Sequence, residues 1–263
     1  MNRPHALFFL LGLASAHAHC LAQVTPLSTR RETSAFASGG SLSDSRFDAN
    51  NTFSPFRSVR TVCITTPLGN TGCAVGTQES GFDSDRFWAV GQGGASTTPG
   101  PDSDLGSSSG RSTCEIRFRV DAPIRYWLSG SIRAVNATSF ATLFSSAPAV
   151  ILQFNESFSE TTLDAAGILN PGIYELHLGA EASVDPSVEA GSTSADFNAT
   201  FRWLPYCPAD FNADGFTDFF DFDDFVACFE GSCPDGLSAD FNADGFTDFF
   251  DFDDFVSAFD AGC

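Results

Sequence analysis

Residues 209–226 read ADFNADGFTDFFDFDDFV, and residues 239–256 repeat them without a change. A repeated unit usually identifies the module, so the chain is organised around this pair. With Asp210 as position 1, side-chain oxygens fall at Asp210, Asn212, Asp214, Asp218 and Asp221, which are positions 1, 3, 5, 9 and 12. Phe216 at position 7 offers a backbone carbonyl, and Gly215 at position 6 suits a sharp turn because it has no Cβ. The second copy supplies Asp240, Asn242, Asp244, Phe246, Asp248 and Asp251, with Gly245 at its turn. Calcium is a hard cation that takes roughly six to eight oxygens, and one short loop can present them at alternating positions. Each copy is therefore expected to bind one Ca2+, two in all, and to continue into a helix.

Two features narrow that expectation. Position 12 is Asp rather than Glu, and no helix can enter either loop. Pro205 and Pro208 flank the first loop, and Cys233-Pro234-Asp235-Gly236 precedes the second. Proline inside a helix removes a donor and clashes with the preceding turn. Each unit is thus a loop with an exiting helix only. This pattern resembles the type I dockerin module of secreted bacterial proteins, whose paired loops also carry Asp at position 12. The resemblance covers residues 207–263. Thr217 and Thr247 depart from it, since the family usually has an aliphatic residue at position 8.

The resemblance implies a protein partner of the cohesin kind, recognised around positions 10 to 12. Those positions are Phe219-Phe220-Asp221 and Phe249-Phe250-Asp251, where the family often has small hydroxyl residues. At the helical angle, Phe219, Phe222, Phe225, Val226 and Phe229 share one arc of about 120°, the expected core face. Phe220 and its twin Phe250 fall outside the arc and are the expected partner-binding residues. The resemblance also implies polysaccharide-degrading assemblies outside the cell. A polysaccharide-binding or polysaccharide-cutting role is thus a second expectation. A purely structural role, with calcium as a stabilising clip, is a third.

The rest of the chain suggests export. Residues 1–22 read as a signal peptide: a weakly positive start, an apolar core too short to span a bilayer, and small residues for cleavage. No later apolar run approaches a membrane span. Of eight cysteines, Cys207 and Cys263 bracket the repeats, Cys228 and Cys233 can close a short loop, and Cys63 and Cys73 enclose a turn-rich stretch. Disulfides of this kind persist outside the cytosol. Cys114 finds a partner only if Cys20 survives cleavage. Residues 207–263 hold fifteen of the 33 acids and no base, which leaves eighteen acids against thirteen bases elsewhere. At a net charge of −20 the protein is a poor ligand for nucleic acid, which needs cations at its phosphates.

Residues 23–206 read as one all-β domain, a sandwich or jelly roll. Apolar residues alternate at Ile116, Phe118 and Val120; at Ile124, Tyr126 and Leu128; at Tyr174, Leu176, Leu178 and Ala180; and from Ala195 to Trp203. Residues 148–154 form a more continuous apolar strand. Residues 91–113, rich in Gly, Ser, Thr and Pro, are expected to form a long loop. Catalytic signals are sparse: there is no nucleophile elbow and no HExxH, and His177 alternates outward. Glu115, Glu156, Glu160 and Glu175 are the carboxylates available for glycoside chemistry. Trp88, Tyr126 and Trp127 are candidate sugar-stacking aromatics.

Overall fold

The period-two alternation does produce a β-sandwich. The computed structural model describes residues 24–100, 106–146, 149–184, 191–233 and 237–262. The signal-peptide reading, together with Cys20 and Cys263, lies outside the described residues. In chain order the strands are β1 (Val24–Gly39), β2 (Leu42–Asn50), β3 (Phe56–Thr65), β4 (Thr71–Phe82), β5 (Arg86–Thr98) and β6 (Ser108–Val120). They continue as β7 (Ile124–Val135), β8 (Thr138–Ser145), β9 (Val150–Glu156), β10 (Glu160–Leu169), β11 (Gly172–Val184) and β12 (Gly191–Pro205). Two helices follow, α1 (Phe219–Phe229) and α2 (Phe249–Ala261). One sheet has the order β2-β1-β6-β11-β8-β9 and the other β10-β7-β12-β5-β4-β3. Neighbouring strands are antiparallel throughout.

The buried face follows the pattern in the sequence. Ile116, Phe118, Leu128, Leu176, Phe197 and Phe201 form a continuous interior between the sheets. Each such side chain contributes about 1.5–3 kcal/mol when fully buried. Aromatic rings concentrate at one end: Phe201 packs against Phe118, Tyr126 and Trp203. Asn170-Pro171-Gly172 turns the chain from β10 into β11, and the Tyr174 hydroxyl donates to the Asn170 carbonyl at 2.7 Å.

The other end is built from the smallest residues, and here the expected long loop is corrected. Residues 91–98 and 108–113 are strand, in β5 and β6. Only residues 99–107 connect them, of which 101–105 lie outside the described residues. The glycines are required by sheet spacing. A Cβ on Gly76 would stand 2.5 Å from the Ser34 carbonyl and 2.6 Å from that of Arg111, both on the opposite sheet. A Cβ on Gly93 would stand 2.8 Å from the Ala180 carbonyl. The two backbones meet here without side chains between them. Sheets ordinarily pack about 10 Å apart on interdigitated side chains. Composition that reads as loop is, in this context, the composition of a thin sandwich.

Arg31 is the largest side chain buried completely in this domain. It points from β1 into the interior, where its guanidinium donates to Ser80 Oγ at 3.3 Å, Asn50 Oδ1 at 2.8 Å, the Ser54 carbonyl at 2.8 Å and the Thr52 carbonyl. The Phe56 ring lies 5.3 Å away. Among the described residues no carboxylate pairs with it; carbonyl and amide oxygens balance the charge. These bonds pin the crossover from β2 to β3, where the chain passes from one sheet to the other.

Close sheet contact gives a direct expectation. Gly76→Ala should cost roughly 1–3 kcal/mol, the usual penalty for overpacking, because the atoms in the way are backbone. Urea denaturation of the full chain measures this; an unchanged midpoint would mean that the sheets are farther apart than described.

Candidate metal centre

Each repeated loop closes on itself through its own carboxylates. Asp221 is fully buried. Its two oxygens accept from the N–H of Asn212 at 3.1 Å and of Asp218 at 2.9 Å, which ties the start of the loop to its end. In the second copy Asp251 accepts from Phe241 at 2.7 Å, Asn242 at 3.1 Å and Asp248 at 2.8 Å. These backbone donors, Asp248 N–H first, hold the Asp251 carboxyl below the usual carboxylate range. Asn212 Oδ1 accepts from Asp214 N–H, and Asp214 Oδ1 from Phe216 N–H. Ala213 and Gly215 take the left-handed conformation that such a tight turn needs, with φ of 65° and 94°. Ala243 and Gly245 repeat it.

The helices begin where the loops end. Asp218 caps α1 by accepting from Phe220 N–H at 2.9 Å, and Asp248 caps α2 in the same way at 2.8 Å. Asp221 and Asp251 complete capping boxes. The helices then pack on each other. Phe225 and Phe255 are both fully buried and stack with centroids 4.0 Å apart and planes 8° from parallel. Phe211, Phe222, Phe229, Phe241, Phe252 and Phe259 surround them.

The core face is shorter than the helical angle implies. Phe219 and Phe249 are 72% and 71% exposed, so they do not belong to the core. They occupy the first position of each helix, ahead of the turn where the two repeats meet. Phe220 and Phe250 are outward as expected, at 67% and 69% exposure. Phe216 and Phe246 are exposed as well.

The donor set is all hard oxygen and falls in the order a calcium loop requires. One atom stands out: Asp210 Oδ1 is buried and has no hydrogen-bond partner. Asp210 Oδ2 accepts from Gly215 N–H at 3.2 Å. Burial, and then the nearby Asp221, raise the Asp210 carboxyl, while Arg125 pulls it back. An orphaned carboxylate oxygen in an acidic loop fits a cation. The remaining carboxylates are turned to backbone N–H groups. Among the described residues no three acid, imidazole or thiol groups converge as a metal site.

The cysteines are found as follows. Cys63–Cys73 and Cys228–Cys233 are disulfides. Cys207 is disulfide-bonded too, and its expected partner, Cys263, lies outside the described residues. Cys114 is a free thiol, fully buried, and burial pushes it up to about 12. It is thus protonated at neutral pH and is no nucleophile. No helix among the described residues is long and apolar enough to cross a membrane.

The β-domain candidates separate. Tyr126 is in the core, so it shares no surface with the half-buried Trp127; Trp88 covers Gly81. Glu156 is held low by the Ser159 and Thr161 hydroxyls, and Glu160 lies on the edge strand β10. Glu115 and Glu175 come together on one sheet face, beside His177. Arg31, Phe53 and Phe158 were not legible as notable residues, because a lone Arg or Phe in a polar stretch carries no period. A scan against protein-family models gives no match, and a search of curated proteins gives none.

Asp221 should matter more than Asp218. Replacing Asp221 by Ala empties a fully buried site and leaves two part-buried N–H groups without their charged acceptor, at about 1 kcal/mol or more each. Replacing Asp218 by Ala removes a helix cap, about 1 kcal/mol. Denaturation of the two variants orders them; a larger loss for Asp218→Ala would show that the tie across the loop is unimportant.

Proposed function

We propose that residues 207–263 form a calcium-binding module of the dockerin type, which holds two Ca2+ and docks an exported protein to a protein partner. The observation that carries this reading is the pair of identical loops whose hard-oxygen donors include the buried, unpartnered Asp210 Oδ1. Asp210, Asn212, Asp214, Asp218, Asp221 and the Phe216 carbonyl would hold one ion. Asp240, Asn242, Asp244, Asp248, Asp251 and the Phe246 carbonyl would hold the other. The ion supplies positive charge where like charges otherwise repel, and a site absent from the unfolded chain couples metal binding to folding. Disulfides support an exported protein.

Docking rests on the exposed phenylalanines. Phe220 and Phe250 sit in the first turn of helices whose loops carry only acidic charge. An aromatic anchor of this kind contributes about 2 kcal/mol or more when a partner desolvates it. The related surfaces are equivalent in sequence and in exposure.

Two results are expected. With disulfides reduced, the module should lose most of its helical circular dichroism in chelator and regain it with calcium. Identical spectra in both would rule out coupled folding. Capture of a cohesin-like partner should survive Phe220→Ala or Phe250→Ala alone but not both together, with calcium affinity unchanged. Full capture by the double variant would leave the structural clip as the better reading.

A further inference from the structure

The sandwich has four edge strands, β2 and β9 in one sheet and β3 and β10 in the other. An open edge offers unpaired N–H and C=O groups to any other chain, and charge, proline or a bulge usually guards it. Charge guards three of the four. β2 carries Asp44, Arg46 and Asp48, β3 carries Arg57 and Arg60, and β10 carries Glu160 and Asp164. β1 is open as well over Val24–Arg30, because β2 pairs with it only from Arg31 to Gly39. That stretch holds Pro26, Arg30 and a shift of register between Pro26 and Ser28.

β9 is the exception. Residues 150–155 read VILQFN, with neither charge nor proline, and Val, Ile and Phe suit a strand. Val150 and Ile151 are exposed, and Leu152 and Phe154 are only partly buried against the interior. Among the described residues β9 pairs with β8 alone. Its one irregularity lies between Val150 and Leu152, which leaves Leu152–Glu156 regular. The strand's single charge is turned away from the edge. Glu156 folds back onto its own turn, where its carboxylate accepts from Ser159 Oγ at 2.5 Å and from Thr161 Oγ1.

We propose that β9 is a self-association edge, through which two copies of this chain pair antiparallel and join their six-stranded sheets into one. The strand is complementary to its own reverse, as a two-fold interface requires. About an axis at Gln153, Gln153 faces its twin, Leu152 faces Phe154, and Ile151 faces Asn155. No like charges meet. Leu152 and Phe154 lie opposite the buried Leu143 and Ala141, so they point inward and would pair across the axis over the flank of the core. The outward Gln153 amides have a donor and an acceptor each to exchange. β2 lacks this fit: turned on itself about Arg46, it sets Arg46 against Arg46 and Asp44 against Asp48. So short a strand pair buries less than the roughly 1,200 Å² of a standard interface, which makes the dimer weak and reversible. The edge belongs to the sandwich and is independent of the calcium module.

Sedimentation equilibrium of the full chain, in calcium and in chelator, tests this. The unaltered chain should show a monomer–dimer equilibrium in both, with a Kd on the order of 10–100 µM. Gln153→Lys and Gln153→Glu each set like charges opposite one another at the axis and should weaken the dimer about fivefold or more. Gln153 is exposed, so neither change disturbs the core. Mixed in equal amounts, the two variants should associate at least as strongly as the unaltered chain. The double variant Phe220→Ala, Phe250→Ala should dimerise as the unaltered chain does. A chain that stays monomeric well above that concentration range, a dimer unchanged in both Gln153 variants, or no recovery on mixing them overturns the proposal. So does a dimer lost in chelator or in the double Phe variant, which moves self-association to the C-terminal module.

Discussion

The two sheets touch through their backbones at Gly76, Gly93 and Gly110, and much of the rest of the molecule is arranged around that contact. A sandwich this thin at one end has no room there for an interior ligand. Its bulky aromatics are gathered at the other end, around Phe201. What the domain can present to other molecules therefore lies on its outer faces and at its ends. The burial of Arg31 has a separate cause. The chain crosses between the sheets at residues 51–55, and the crossover carbonyls reach inward to accept from the guanidinium. The cost of burying a cation is offset by charge-assisted bonds rather than by a counter-charge. The same bonds hold Asn51 and Phe53 over the outer face.

The sequence was legible where apolar residues alternate with polar ones. β6, β7, β11 and β12 each bury the side chains that alternation marks. It was illegible where the interior is glycine, serine and alanine. β5 and the start of β6 carry no hydrophobic period, because backbone rather than side chains fills the space between the sheets. β2 shows the opposite problem: an edge strand with almost no buried residue has nothing for a pattern to report. The helical angle placed Phe225 and Phe255 correctly, yet also placed Phe219 and Phe249 in the core. An angle says which way a side chain points, and not whether a partner is there to meet it.

In the loops, spacing identified the oxygen-bearing positions but not their present bonds. That Asp221 and Asp251 are buried and tie loop start to loop end follows from folding of the loop. Nothing in the residue types distinguishes them from Asp218 or Asp248, which cap helices instead. Oxygen spacing and hydrogen-bond role are written in the same residues, and only the backbone path separates them.

Identity of sequence does not make the two loops identical in physics. Asp240 accepts from Asp244 N–H at Oδ1 and from Gly245 N–H at Oδ2. Asp210, its twin, leaves Oδ1 buried and unpartnered. The difference comes from what adjoins the first loop. Leu204, at the end of β12, lies 3.8 Å from where a Cβ on Gly215 would stand, whereas nothing lies within 4 Å of that point at Gly245. Arg125 acts on Asp210 and packs on Tyr206. The first loop is thus seated against the sandwich and the second is open to solvent. Phe220 and Phe250, by contrast, are exposed to nearly the same degree. Two-fold equivalence therefore holds at the outer ends of the helices and fails at the carboxylates beneath them. A partner that reads the phenylalanines meets two equal surfaces, while a cation meets two unequal ones.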